Sequence, residues 1–94
     1  MEERIQTLHP QAGKQGVRIS KTKYDIVCAA IVETLRAHPG MSFTDLLQAV
    51  TEKLQGSFDG SVSWYVTTVK LDLEARHLIA RVPDSRPQRL EIVE

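Results

Sequence analysis

Apolar side chains recur at helical spacing in three separate stretches of the chain. Residues three and four apart lie on the same side of an α-helix, so each stretch predicts an amphipathic helix with one buried stripe. The first helix begins after Ser20, whose hydroxyl can cap the first turn, and it ends at Pro39-Gly40. Its predicted stripe consists of Tyr24, Val27, Cys28, Ile31 and Leu35.

The second predicted helix runs from Phe43 to about Leu54. Ser42 stands three residues before Asp45, an arrangement that resembles a capping box, and Met41 can pack onto Leu46 in the next turn. The apolar side chains that this helix should bury are Leu46, Leu47, Val50 and Leu54.

The third helix is predicted from a Ser61 cap to about Arg76, after a turn from Gly56 to Gly60. Phe58 should fold back from that turn onto the core, because an isolated aromatic ring has no other cover. The buried face of the helix should hold Val62, Val66, Val69 and Leu73.

Beyond the third helix, residues 78–82 and 88–93 predict two short β-strands. In the second strand Leu90 and Ile92 alternate with charged residues, as expected of a strand with one buried face. Residues 83–87 begin and end with proline, which cannot donate to a β-ladder, so they predict the tip of a hairpin.

Residues 1–19 show neither the helical nor the strand spacing of apolar residues, and they contain proline and two glycines. They therefore predict an extended N-terminal arm, held down by Ile5 and Leu8. Residues 20–94 then form one folded domain. The expected fold class is α+β, with three helices followed by a two-stranded β-hairpin.

This order of elements resembles the winged helix-turn-helix superfamily across residues 20–93. Residues 41–46 (MSFTDL) are similar to the family's entry into its second helix, and residues 73–81 (LEARHLIAR) are similar to its exit from the third helix into the wing. In that exit a left-handed residue reverses the chain, and two apolar residues, here Leu78 and Ile79, enter the core. The whole string, including residues 63–73 and 85–90, also resembles a small bacterial family of uncharacterised winged-helix proteins.

Two positions depart from the superfamily pattern. His77 stands where glycine is usual, which implies a conformational cost or a different cap. The turn from Gln55 to Gly60 is longer than the roughly three or four residues of a compact helix-turn-helix. The resemblance therefore implies the fold more firmly than the geometry with which such domains read DNA.

The totals describe an ordinary globular chain of 94 residues with 41% hydrophobic residues, which is one domain by length. No apolar run is long enough to span a bilayer, and the acidic N-terminus is unlike a signal peptide. The single Cys28 excludes an internal disulfide. We therefore expect a cytoplasmic protein without a membrane partner.

The charges balance overall but are unevenly distributed. Twelve basic residues face twelve acidic ones, so no global field favours nucleic acid. From Arg4 to Tyr24, however, there are five bases and no acid, and from Arg76 to Leu90 there are four bases and one acid. Both ends of the chain are basic.

No motif predicts catalysis or a cofactor. His9, His38, His77 and Cys28 lack the short spacings of metal ligands, and the serines have no His–acid partner in any known order. We therefore expect neither an enzyme nor a metal site, and no cofactor.

Two functions stay open, and the first is binding of double-stranded DNA by a homodimer that acts as a transcriptional regulator. In the winged-helix resemblance the third helix reads DNA, but its predicted outward face (Trp64, Thr67, Thr68, Leu71, Glu74 and Ala75, with Lys70 at the margin) lacks good base-reading side chains. Asp72 and Glu74 should also repel phosphate. Binding would then depend on phosphate contacts from arm and wing. The candidate DNA-binding residues are Lys14, Arg18, Lys21, Thr67, Thr68, Lys70, Arg81, Arg86 and Arg89.

The alternative is a protein-interaction or dimerisation module that keeps the fold without binding DNA. In that interpretation Trp64, Leu71 and Ala75 form an apolar seam covered by the arm or by a second subunit. The wing arginines would be ordinary surface charges, with Arg81 and Arg89 pairing with Glu91 or Asp84 across the hairpin.

Overall fold

The computed structural model describes residues 3–93 and contains three helices and two antiparallel hairpins, an α+β architecture. The elements are β1 (Arg4–Gln6), β2 (Arg18–Ser20), α1 (Lys21–Ala37), α2 (Phe43–Leu54), α3 (Val62–Ala75), β3 (Ile79–Arg81) and β4 (Leu90–Ile92). Strand β1 pairs with β2, and β3 pairs with β4.

The three helix starts are set by serine caps. Ser20, Ser42 and Ser61 each accept a hydrogen bond from the backbone N–H three residues further on, at 3.2, 3.1 and 3.3 Å. Each bond satisfies one of the N–H groups that a first helical turn leaves without a partner. The predicted caps are confirmed, and the predicted helices are confirmed to within about two residues.

The core lies where the apolar stripes of the three helices meet the inner face of β3–β4. The predicted stripes are confirmed, and Phe58 packs against this core from the turn before α3. The side chains at its centre are almost fully buried: Val27, Ile31, Leu35, Leu46, Val50, Val66, Val69, Leu73, Ile79 and Leu90.

The N-terminal residues form a β-hairpin instead of the expected extended arm. Ile5 pairs with Ile19, which is only 4% exposed, so this hairpin is part of the packed structure. Thr7 and Val17 join the two sides of the hairpin next to its loop. The Thr7 Oγ1 donates to the carbonyl of Val17 and accepts from its N–H, both at 2.8 Å. A side chain at Gly16 would lie 2.1 Å from the carbonyl oxygen of Thr7, so the close approach of the two strands requires glycine.

The segment before α2 joins the second hairpin. Leu90 donates to the carbonyl of Met41 at 3.0 Å and accepts from Gly40 at 3.1 Å, and Phe43 donates to the carbonyl of Gln88 at 2.8 Å. Ser42 forms a β-bridge with Arg89. Strand β4 is therefore held on both sides, by β3 and by this segment.

The exit from α3 follows the predicted reversal. His77 has φ 61°, and the N–H of Leu78 donates to the carbonyl of Leu73 at 2.9 Å, as in a Schellman motif. Only Ile79 enters the core, whereas Leu78 is 51% exposed, so the prediction that both do so is wrong. Consecutive strand residues point to opposite faces, and the outer face is open here.

Within residues 3–93, none of the helices combines the length and the hydropathy that are needed to cross a bilayer.

Candidate nucleic-acid interface

The outward face of α3 is open in its first half and partly covered in its second. Trp64 is 46% exposed, and Thr67 is exposed as well. Further along, Thr68, Leu71 and Ala75 are half-buried, because residues 8–17 of the N-terminal hairpin lie beside them and line shared clefts. The chain itself thus partly covers the predicted seam, and Trp64 remains in the open part.

Asp72 is fully buried at the point where α3 meets α1 and the N-terminal hairpin. It accepts hydrogen bonds from the Tyr24 hydroxyl, from Arg76 Nε at 2.9 Å and from the backbone N–H of Leu8 at 2.8 Å. Burial and the bond to Asp72 raise the pKa of Tyr24. The expectation that Asp72 faces and repels phosphate is therefore wrong.

Glu74 is also buried, on the side of α3 that faces the second hairpin. Its Oε1 accepts from Lys70 Nζ at 3.2 Å and from Arg81 Nε at 3.1 Å, and the Lys70 and Glu74 side chains are only 5% and 7% exposed. Lys70 Nζ also lies 5.1 Å from the centre of the Phe43 ring. Burial lowers the pKa of Lys70, although Glu74 opposes that shift.

Three expectations about this side of α3 are therefore corrected. Lys70 and Glu74 are not on the exposed face, because β3 and α2 cover that flank of the helix. Arg81 pairs with Glu74 rather than across the hairpin with Glu91. Within residues 3–93, Glu74 Oε2 is buried without a hydrogen-bond partner.

The remaining basic candidates differ in how free they are. Lys21 pairs with Asp25 at 2.8 Å, and Arg89 donates to the carbonyl of Gly40 at 3.1 Å rather than pairing with Glu91 or Asp84. Three candidates are exposed and have neither an ion pair nor a side-chain hydrogen bond within the described part of the chain: Lys14, Arg18 and Arg86.

The tip of the second hairpin is ordered by its own hydrogen bonds. Ser85 Oγ donates to the carbonyl of Val82 at 2.8 Å and accepts from the N–H of Arg89 at 3.2 Å. Arg86 and Arg81 line one polar cleft at this tip. The structure thus holds the tip arginine on a defined turn.

The sequence prediction missed two features of this surface. Arg4 lies diagonally from Arg18 on the face of the N-terminal hairpin opposite Ile5, which follows only from the strand register. An aromatic cluster also lies near the start of α3, where Tyr65 contacts Phe58 and Trp64 edge to face with ring centres 5.1 and 5.0 Å apart. Helical spacing alone could not place Phe58 there.

Among residues 3–93, no group of three or more His, Cys, Asp and Glu side chains is arranged to hold a metal ion. Cys28 is half-buried on α1, and burial raises the pKa of its thiol. A raised pKa disfavours the reactive thiolate.

Residues 4–90 match the model of a family of unknown function (DUF6958), and the chain belongs to that family. No curated protein and no solved structure matches the chain.

Proposed function

We propose that the chain is a winged-helix domain that binds double-stranded DNA through phosphate contacts, as a transcriptional regulator would. The order of three helices and a hairpin supports this fold, together with the pairing of residues 40–43 with β4. In this proposal β3–β4 is the wing and α3 is the helix that faces the duplex.

The observation that carries the proposal is the burial of both acids of α3. Asp72 is 0% exposed and Glu74 is 9% exposed, and each is paired with at least one cation. No carboxylate of α3 therefore faces the solvent. The exposed side chains of the helix's first half are Ser63, Trp64 and Thr67, which would not repel a phosphate backbone.

Free cations flank this face of the helix. Lys14 lies on the N-terminal loop beside Ala75, and Arg86 is on the tip of the wing. Arg18 is exposed on the strand that leads from that loop into α1. Thr68 adds a hydroxyl donor, whereas the Thr67 hydroxyl donates to the carbonyl of Ser63 at 2.9 Å. Phosphate contacts of this kind give affinity with little sequence preference.

The test is a titration of labelled duplex DNA at several salt concentrations. Three to five phosphate contacts would give log K against log salt a slope of about −3 to −5. Arg86→Gln and Lys14→Gln should each make the slope shallower by about one unit. Arg36→Gln removes the same charge at the far end of α1 and should leave the slope unchanged. Absence of binding at about 100 μM protein in ~50 mM salt would refute the proposal, because even non-specific association is tighter.

A second candidate function is self-association through the first half of α3. Trp64 is 46% exposed, and Leu8 and Val17, which line a cleft with Leu71, are 43% and 41% exposed. A second copy of the chain is the partner that would cover them. If this function holds, Trp64→Ala should convert a dimer into a monomer in sedimentation equilibrium. A wild-type chain that stays monomeric at high concentration would contradict it.

A further inference from the structure

A cleft of about 490 Å³ lies where the N-terminal loop, the end of α3 and strand β3 meet. Its lining includes Pro10 and Gln11 of the N-terminal loop, Ile79 and Ala80 of β3, and Val93. Its volume falls within the range of small-molecule sites, which are about 300–1,000 Å³. The apolar residues that remain accessible here are Ala80, Val93 and Pro10, because Ile79 is only 1% exposed.

The Arg81 guanidinium in the cleft is held by one hydrogen bond and is still exposed to a ligand. The Arg81 side chain is 56% exposed, and its Nε donates to Glu74 Oε1 at 3.1 Å. Within residues 3–93 its two terminal nitrogens have no partner. Because one edge of the planar guanidinium is bound, the direction of the other edge is restricted. Such a preorganised fork matches the two oxygens of a carboxylate.

The net charge around Arg81 also indicates the charge of the ligand. Lys70 and Arg81 both bind Glu74 Oε1, so these three groups carry one net positive charge. One further negative charge would neutralise the cluster. A doubly charged phosphate would exceed this balance and would lie close to the Glu74 carboxylate.

We propose that this cleft binds a small aliphatic monocarboxylate, with the carboxylate on the terminal nitrogens of Arg81. The aliphatic part then packs on Ala80, Val93 and Pro10. The bound molecule contacts the N-terminal loop and the second hairpin at once. The proposal is independent of DNA binding, since Lys14, Arg18 and Arg86 line no part of this cleft.

The experiment titrates hexanoate into the ¹⁵N-labelled full chain and follows the backbone amide shifts. We expect saturable shifts at Gln11, His77, Ala80 and Val93 at millimolar hexanoate. Hexanol and hexylammonium, which keep the chain but lack the carboxylate, should bind at least about tenfold more weakly. Inorganic phosphate should also bind more weakly than hexanoate.

Two variants locate the site. Arg81→Lys keeps the charge but loses the fork, and should weaken hexanoate binding about tenfold. Arg86→Lys makes the same change on the wing tip and should leave the affinity for hexanoate within about twofold of the wild-type value. Val93→Asp places a negative charge on the wall without touching Arg81 and should also weaken binding. The proposal is overturned if hexanoate causes no saturable shifts, if hexanol or phosphate binds as well, or if Arg86→Lys weakens binding as much as Arg81→Lys.

Discussion

The two hairpins are attached to the same helix by two different buried carboxylates. Asp72 faces the N-terminal hairpin and binds the backbone N–H of Leu8, whereas Glu74, two residues later, faces the second hairpin and binds Arg81. Residues two apart on a helix point in clearly different directions, so α3 can hold one hairpin on each flank. The acids that would repel DNA thus serve to assemble the surface.

The two attachments differ in how completely the carboxylate is satisfied. Both oxygens of Asp72 have donors, from Tyr24, Arg76 and Leu8. Glu74 binds both of its cations through Oε1, and its Oε2 is buried without a partner within residues 3–93. The second hairpin has other support, because residues 40–43 hold β4 by backbone bonds. The N-terminal hairpin is held by the packing of Ile19 in the core and by the bond of Leu8 to Asp72.

The largest expected effect is that of Glu74→Gln. This change leaves the Lys70 ammonium, 5% exposed, without its counter-charge. Removing one partner of a buried ion pair should lower the free energy of unfolding by about 3–5 kcal/mol. Urea denaturation measures this loss of stability. Lys70→Met is the control, since it removes the buried cation and leaves Glu74 with Arg81, so its loss should be smaller. Equal losses would contradict the assignment.

Asp72→Asn should lower the free energy of unfolding by about 2–3 kcal/mol, because an amide cannot accept all three bonds that the carboxylate accepts. It should also release the N-terminal hairpin locally. Amide hydrogen exchange at Leu8 and Thr7 should accelerate more than exchange in β4. Asp25→Asn, which breaks only the exposed pair with Lys21, should leave the free energy of unfolding nearly unchanged. Uniform acceleration across both hairpins would show that Asp72 does not act locally.

Tyr24 makes the attachment of the N-terminal hairpin to Asp72 sensitive to alkaline pH. Its pKa is raised in the folded state, so above pH ~10 the unfolded chain loses a proton that the folded chain keeps. The contribution of Tyr24 to stability is therefore complete below that pH and falls as the pH rises. At pH 11 the loss should be about 1.4 kcal/mol, relative to Tyr24→Phe. Urea denaturation of the wild type and of Tyr24→Phe at pH 8 and 11 measures this loss. Equal losses in the two proteins would show that Tyr24 does not cause the pH dependence.

The three helices were predictable because Ser20, Ser42 and Ser61 mark their starts and the apolar stripes are regular. The N-terminal hairpin was not, because its strands have only three residues each, too few for an alternating pattern to be recognised, and a long loop separates them.

The candidate site was predictable only in part, for a related reason. The outward positions of Trp64 and Thr67 follow from helical geometry and are confirmed. Counting angles around α3 also placed Glu74 outside and Lys70 at the margin, since a single helix gives no sign that β3 will cover one flank. The four-residue spacing of Lys70 and Glu74 was a readable sign of an ion pair, but not of its burial.

The smallest expected effect concerns the reversal between α3 and the second hairpin. His77 has φ 61°, a left-handed conformation that costs a side chain with a Cβ roughly 1–2 kcal/mol. His77→Gly removes that cost but makes the unfolded chain more flexible, which takes back about 0.4–1 kcal/mol. The net result should be a gain of up to about 1.6 kcal/mol in the free energy of unfolding. His38 is the matched control, because it follows α1 with φ −134°, where glycine has no advantage. His38→Gly should therefore destabilise the chain by about 0.5–1 kcal/mol. Thermal and urea unfolding of the two variants should shift in opposite directions, and shifts of the same sign would show that the backbone at His77 is not strained.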